Sequence, residues 1–179
     1  AQVSNPPLDA IREELVTSLR ATLGEERNLF SETPEHCRQI TVRKPVLDND
    51  DLARLRECDL EGLRSETISI LFDATKVGGL KAAMDEVRIA SSNAVEGGAS
   101  ILILSDRGVD SKHAPIPSLL ATSGVHHHLI REGIRTKVGI VVETGEAREV
   151  THFALLIGFG AGAVNPYLAF ETLQNQMED

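Results

Sequence analysis

Aromatic side chains are nearly absent from this sequence. They make up 3% of the 179 residues, and tryptophan is missing altogether. Proteins that bind single-stranded nucleic acid need aromatic platforms on which the bases stack, so that class is excluded. Positive charge is also scarce, since 18 Lys and Arg residues face 27 Asp and Glu residues for a net charge of -9. Because this field repels polyanions and anionic membrane surfaces, we expect no nucleic-acid partner and no membrane partner.

Cysteine is limited to Cys37 and Cys58, which are too few for a disulfide framework. The sequence also contains no secretory signal and no apolar run of the roughly 18 residues that a membrane span requires. A reducing compartment such as the cytoplasm is therefore expected, with both thiols free. Pairing of Cys37 with Cys58 across a short loop is the alternative.

The length and the hydrophobic content of 41% fit a single globular domain. The chain opens on Ala1 without a Met, and it closes soon after a helical pattern. We expect a segment excised from a longer chain, although processing also removes an initial Met. Within it, residues 1–36 form an N-terminal helix and the loop that follows, and residues 37–179 form the core.

The first helix is predicted from apolar residues at helical spacing after a capping Asp9, namely Ile11, Leu15, Leu19 and Leu23. Gly24 ends this pattern, and the polar stretch from Glu25 to His36 lacks periodicity, which indicates a surface loop.

From residue 37 onward, short apolar runs alternate with amphipathic ones, as in βα units that build a parallel sheet. Strands are predicted at 40–42, 67–72, 101–104, 138–142 and 163–164, and helices at 48–56, 80–94, 118–131, 149–157 and 166–173. The run Ile101–Leu104 is continuously apolar, which is typical of a central strand buried on both faces. The predicted fold is α/β, with five βα units in an open sheet or an incomplete β/α barrel.

Acidic residues follow the three best strands, at Asp73, Asp106 and Glu143. The carboxyl ends of parallel strands line the usual ligand-binding edge, so these side chains could hold a divalent cation. Nearby cations could then bind an anionic substrate, at Lys76, Arg107 and Lys112. The alternative, which we favour, is that the carboxylates cap helices or pair with these cations.

Histidine and glycine clusters allow further hypotheses. Consecutive helical side chains are splayed by about 100°, so at most two of His126, His127 and His128 could face one metal ion, with His113 or His152 as additional ligands. Structural roles are favoured for these histidines.

The glycines of Gly158–Gly162 resemble part of a nucleotide-binding loop but follow a helical pattern, so we predict a turn. Asn165 and Pro166 are predicted to begin the last helix.

Several long stretches resemble the central domain of glutamate synthase, in the large subunit that uses NADPH, NADH or ferredoxin. They are Asn5–Glu14, the segment Gly78–Gly98, Ser105–Gly108, His113–Arg131 and Gly158–Tyr167. Together they cover most of the chain.

The resemblance implies a parent enzyme that makes glutamate from glutamine and 2-oxoglutarate. Ammonia released at a glutaminase domain is led to an FMN synthase domain, and the central domain links the two, shields the transfer and resembles part of an FMN-linked barrel. It implies no catalytic, cofactor-binding or metal-binding residue in this segment. The parent's FMN and iron-sulfur cluster belong elsewhere, and Ala1 stands where the glutaminase nucleophile would be a Cys. The isolated segment is expected to be inactive.

Two rival functions are a metal-dependent barrel-like enzyme that uses Asp73, Asp106 and Glu143, and an acidic module that binds an electron-donor subunit or ferredoxin. The expected partners are the glutaminase and FMN synthase domains of the same chain, and the isolated chain should self-associate through an uncovered interface. The resemblance gives the three consecutive histidines no role. It implies a cytoplasmic location, or the plastid stroma in a photosynthetic eukaryote.

Overall fold

The computed structural model describes residues 18–178. The strands in this range are β1 (Ala21–Leu23), β2 (Ile40–Val42), β3 (Asp59–Leu60), β4 (Leu63–Ser69), β5 (Leu71–Asp73), β6 (Ile101–Ser105), β7 (His113–Pro115), β8 (Gly139–Glu143) and β9 (Ala163–Asn165). The helices are α1 (Asn49–Arg56), α2 (Gly79–Glu96), α3 (Ser118–Arg131), α4 (Val150–Gly158) and α5 (Tyr167–Glu178), with short 3-10 turns at Pro34–Cys37 and Arg135–Lys137. Most of the predicted first helix lies outside the described residues.

The main sheet has the strand order β3-β4-β6-β8-β9, in which β4, β6, β8 and β9 are parallel and β3 is antiparallel to β4. An α-helix follows each parallel strand, and the strands lie in chain order, as they do in part of a β/α barrel. The sheet is open. This confirms the predicted fold class, and β6 is the central strand as its continuous apolar run predicted.

Apolar residues cover both faces of the main sheet, because successive side chains of a strand point to opposite sides. On one face, Leu102 and Leu104 of β6 lie in a cluster with Val87, Val125 and Leu129 of α2 and α3. On the other face, Ile101 and Ile103 join the second cluster, in which the remaining members are Leu23, Leu47, Leu52, Leu55, Val141 and Ala163. The inner face of this partial barrel is thus filled by α1 and β1.

The predicted first helix is wrong where it enters the described residues. Leu19 lies outside any element and is 67% exposed, whereas Leu23 ends β1 and is fully buried. β1 pairs antiparallel with β2, so Leu23 is held in the inner cluster by strand pairing instead of by a helical turn. Three leucines and one isoleucine are spaced as in a helix, but tertiary packing has overridden this local pattern.

Two predicted strands also differ from the structure. Residues 40–42 form a strand, but it pairs with β1 and leaves four parallel strands in the main sheet. The predicted strand at 67–72 begins earlier, at Leu63, and breaks at Ile70. The Ile70 amide donates to Ser105 and its carbonyl accepts from Ile116, which directs the chain out of the main sheet into the separate β5–β7 pair.

Most predicted helices and turns are confirmed. The Asp48 carboxylate caps α1 by accepting a bond of 2.7 Å from the amide of Asp51. α2 and α3 occupy their predicted positions, and the stretch after Gly24 is mostly irregular, with a 3-10 turn near its end. Among the described helices, none is both long and apolar enough to cross a membrane.

Replacing Leu23 by Ala should lower the free energy of unfolding by about 2–5 kcal/mol, because a fully buried leucine would leave a cavity on the inner face. Leu19→Ala is the matched control and should change it by less than about 0.5 kcal/mol. Urea denaturation of both variants measures the difference. Equal effects would mean that β1 does not pack as described.

Candidate functional site at the strand ends

Two of the three predicted acidic residues meet at the carboxyl edge of the main sheet. Asp106 directly follows β6, Glu143 ends the neighbouring β8, and both are almost fully buried. Asp73 ends β5 in the separate two-stranded sheet. Its carboxylate accepts hydrogen bonds from the Thr75 hydroxyl and amide, and these bonds lower its pKa. The structure therefore brings Asp106 and Glu143 together and leaves Asp73 in its own turn.

The carboxylate of Glu143 is held by three side-chain donors. Arg107 Nε lies 2.6 Å from Oε1, and Arg56 Nη2 lies 2.7 Å from Oε2. The Ser105 hydroxyl donates to Oε2 as well. Burying a carboxylate is costly unless it is paired and hydrogen-bonded, and here both oxygens are engaged. Glu143 thus joins the ends of β6 and β8 to the last turn of α1.

Asp106 forms a second set of contacts beside it. Its carboxylate accepts a hydrogen bond of 2.6 Å from the Thr144 hydroxyl and one of 3.0 Å from the amide of Gly145. It also bonds the phenol of Tyr167, whose pKa is raised well above the ordinary value, first by burial and then by this bond. The Arg107 guanidinium lies 4.0 Å from the centroid of the Tyr167 ring. The first residue of α5 is thereby fixed over the strand ends.

This arrangement suits structural pairing better than ligand binding. The oxygens that would bind a cation are already occupied by donors from the chain itself. Within residues 18–178, no three His, Cys, Asp or Glu side chains come together as a metal site would require. The geometry therefore favours the interpretation in which these carboxylates pair with neighbouring groups of the chain, although none of them caps a described helix.

Glycines 158, 160 and 162 form the predicted turn, here between α4 and β9. Gly160 has a φ of 112°, and a Cβ there would collide with the ring of His126. A Cβ on Gly162 would lie 2.6 Å from a methyl group of Leu23. Gly160 and Gly162 allow close packing of the turn, and side chains instead of open space for a phosphate lie beside both. The turn does not fit an FMN phosphate.

The two cysteines are free thiols, as predicted. Cys37 is exposed in the 3-10 turn, and Cys58 is half-buried after α1, with its Sγ donating to the carbonyl of Leu63 at 3.3 Å. An iron-sulfur cluster requires three or four thiolates, or histidines in their place. The described residues do not fit such a cluster.

Among the three consecutive histidines, His126 and His128 have different hydrogen-bond partners, and the rings of His126 and His127 meet edge to face with their centroids 5.2 Å apart. His126 Nδ1 accepts from Arg135 Nε at 2.9 Å, while Arg135 also donates to the carbonyls of Val138 and Gly160. His128 Nε2 lies 2.8 Å from the Ser92 hydroxyl, which joins α3 to α2. His127 is exposed. The cluster around Arg135 ties the end of α3 to the start of β8 and to the glycine turn.

The other two histidines that could have joined them bond locally. His113 pairs with Asp110 at 3.0 Å, and the Nδ1 of His152 accepts from the amide of Arg148 at 3.2 Å in the cap of α4. None of these contacts brings a third histidine to the α3 cluster.

Sequence patterns did not indicate Arg56, Tyr167 or Arg135. Tyr167 could have been suspected, because it is the single tyrosine of the chain and follows the end of the last strand. Asn165 was predicted to cap the last helix, but its side-chain amide instead donates to the Leu47 carbonyl and to Asn49 at 3.0 Å each. α5 begins at Tyr167, one residue later than Pro166 predicted.

Comparison with known sequences identifies the family. A family profile described as the glutamate synthase central domain matches residues 1–179. The chain belongs to the glutamate synthase central domain family.

Relatives of this central domain are long chains. It is 46% identical over 179 residues to the glutamate synthase [NADPH] large chain of Bacillus subtilis (strain 168), and 40% identical over 177 residues to the ferredoxin-dependent glutamate synthase of Pyropia yezoensis. It is 39% identical over 176 residues to the glutamate synthase [NADH] of Saccharomyces cerevisiae. These matches cover 100%, 98% and 97% of the chain, but only 12%, 11% and 8% of the relatives.

Because Tyr167 is the single tyrosine of the chain, its ultraviolet absorbance reports its ionisation and thus its surroundings at the strand ends. In the folded domain, absorbance at tyrosinate wavelengths should stay near zero at about pH 11, where an unperturbed phenol is mostly ionised. Asp106→Asn should lower the pKa of Tyr167, because it removes a carboxylate that opposes ionisation. The denatured domain is the control and should titrate near the ordinary value. Ordinary titration of folded Tyr167 would contradict the described burial.

Acid should weaken the Arg135 cluster. Burial, followed by the charges of Arg135 and His127, lowers the pKa of His126 in the fold below its unfolded value of 6.5. The unfolded chain therefore binds the proton more readily, so stability is fully present above pH 6.5 and falls as pH drops through the lower folded pKa. His126→Asn should flatten this part of a plot of urea midpoint against pH. His127→Asn, which removes only the last of these three causes and leaves the buried ring in place, should change the slope much less than His126→Asn does.

Proposed function

We propose that this central domain is a non-catalytic part of glutamate synthase, which links the glutaminase and FMN synthase domains and shields the transfer of ammonia between them. The supporting observation is the strand-end edge. In β/α folds this edge normally holds the ligand, yet here Glu143 and Asp106 are bonded to neighbouring side chains. The position of an active site is thus occupied by contacts that hold the fold together.

Shielding is supported by the packing of the sheet. Both faces of the parallel sheet carry closed apolar clusters, and the side chains of β6 are fully buried up to Leu104. Protein interiors are generally packed so closely that few voids larger than a water molecule remain. A wall of this kind would keep a small polar molecule such as ammonia from passing through the domain, and it needs no catalytic residue.

The partners in this proposal are the glutaminase and FMN synthase domains of the same chain. FMN and the iron-sulfur cluster would be held by other parts of the parent, since the glycine turn and the two cysteines do not fit them. A cytoplasmic or plastid location and a role for ferredoxin or an electron-donor subunit are expectations from the family resemblance.

The test is the ratio of glutamine hydrolysed to glutamate formed by the parent enzyme that carries Glu143→Gln. Loosening the strand ends should release ammonia to solvent, so this ratio should rise, while glutamine hydrolysis and ammonium-dependent glutamate formation, assayed separately, persist. Glu171→Gln is the matched control, because Glu171 is half-exposed and makes one bond of 3.3 Å to Arg107. Its ratio should stay near that of the unaltered enzyme.

Loss of ammonium-dependent glutamate formation in a folded Glu143→Gln enzyme would contradict the proposal. That outcome would place Glu143 in the chemistry of the synthase reaction. Circular dichroism and retained glutamine hydrolysis would show that the variant is folded.

A further inference from the structure

A groove separates β2 and the chain that follows it from α1. It has a volume of about 530 Å³. Apolar side chains form much of its lining, at Ile40, Val42, Val46, Leu47 and Leu55. Val46 is 39% exposed, so part of this apolar surface faces solvent. An apolar groove of this size suits the side chains of a peptide segment.

Positive charges surround this apolar lining. Arg43 and Lys44 line the groove and are exposed, and within the described part of the chain neither side chain makes an ion pair or hydrogen bond. Arg54 also lines the groove. Among residues 18–178 its one ion pair is with Asp51, the single acidic lining residue, at 3.5 Å and largely in solvent. Since the whole chain has a net charge of -9, this is a local basic patch on an acidic protein. Such a patch attracts acidic groups.

We propose that this groove binds an acidic segment with interspersed apolar side chains, which belongs to another domain of the same parent chain. Its apolar side chains would enter the groove, and its carboxylates would pair with Arg43 and Lys44. A second copy of this domain is a poorer occupant of the groove, because the net charge of -9 on each copy opposes the self-association that the sequence analysis expects of the isolated chain. This inference rests on the proposed function, and it names one surface through which the linking would occur.

The relative lengths of the chains supply the second argument. The matched relatives are chains of which this domain covers 12% or less, so most of the parent lies outside it. Neighbouring domains of one chain are held at high effective concentration, and a modest groove with two unpaired cations is then sufficient for docking.

Cys58 provides a reporter for the groove, because it lines the groove and is a free, half-buried thiol. Cys37 is exposed and is not among the lining residues, so it is an internal control. The experiment measures N-ethylmaleimide labelling of both cysteines in the full-length parent enzyme, by mass spectrometry of the peptides that contain them.

Reversing the two charges with Arg43→Glu and Lys44→Glu should accelerate labelling of Cys58 about tenfold, because the acidic segment would leave and expose the thiol. The added carboxylates alone act in the opposite direction, since nearby negative charge disfavours the reactive thiolate and slows labelling. Acceleration thus reports uncovering. The paired control, Arg131→Glu with Arg148→Glu, changes two exposed cations outside the groove lining and should leave Cys58 unaffected. Cys37 should react equally fast in all three proteins.

Unchanged or slower labelling of Cys58 after the charge reversal would overturn the proposal. Acceleration in the control pair as well would overturn it too, because it would show general loosening. The test is separate from that of the linking role. If Glu143→Gln raises the ratio of glutamine hydrolysed to glutamate formed but Cys58 labelling is unaffected by the charge reversal, the linking role stands and the docking proposal fails. If Cys58 labelling accelerates but the ratio does not rise, the groove is a docking site and the linking role fails.

Discussion

The buried carboxylate of Glu143, held between two guanidinium groups, is the interaction on which the strand-end edge depends. It joins β8 to Arg107 after β6 and to Arg56 in α1, and Arg107 in turn contacts Tyr167 and Glu171 of α5. A buried ion pair is not by itself strongly stabilising, because desolvation opposes the attraction. Its effect here is to fix which elements meet at the edge. A second carboxylate, Asp106, completes the closure. It lies between Ser105 and Arg107 in the chain and accepts a hydrogen bond from Thr144, the residue after Glu143.

This closure means that the edge at which related folds commonly bind a ligand is filled here by contacts within the chain. In parallel α/β sheets, chemistry requires polar groups at the strand ends that remain available to a ligand. Here the polar groups are present, but they bond to each other. The inner face of the sheet, which the remainder of a full barrel would cover, is occupied by Leu23, Leu52 and Leu55. Packed apolar side chains therefore cover both faces of the sheet in this incomplete barrel.

Periodicity and strand-end chemistry predicted much of the main sheet. The continuous apolar run at Ile101–Leu104 identified the central strand, and the apolar spacing of α2 and α3 gave their positions. These patterns succeed because burial on a regular element leaves a repeat in the sequence. The pairing of β1 with β2 was not predictable in the same way. Leucines at positions 15, 19 and 23 fit a helix, whereas pairing with β2 and packing in the inner cluster place Leu23 in a strand.

The site itself was half predictable. Asp106 and Glu143 were identified from their positions after strands, and Arg107 was among the cations expected to pair with them. Arg56 was not identified, because it lies 87 residues before Glu143 and no local pattern connects the two. The same applies to His126 and Arg135, whose contact depends on how the chain turns after α3. Strand-end positions identified two carboxylates that meet and a third, Asp73, that does not, because β5 leaves the main sheet. The more distant donors come from elements whose placement is a property of the whole fold.

The most direct test of this account is a double-mutant cycle in the free energy of unfolding with Glu143→Gln and Arg107→Gln. If the strand ends are held by pairing, Glu143→Gln should destabilise the domain, and the two changes should show a coupling of about 1–2 kcal/mol, moderated by the half-exposure of Arg107. A carboxylate retained for ligand binding would behave differently, because binding sites commonly sacrifice stability. A Glu143→Gln domain that is as stable as the original or more stable, with no coupling to Arg107, would contradict the account.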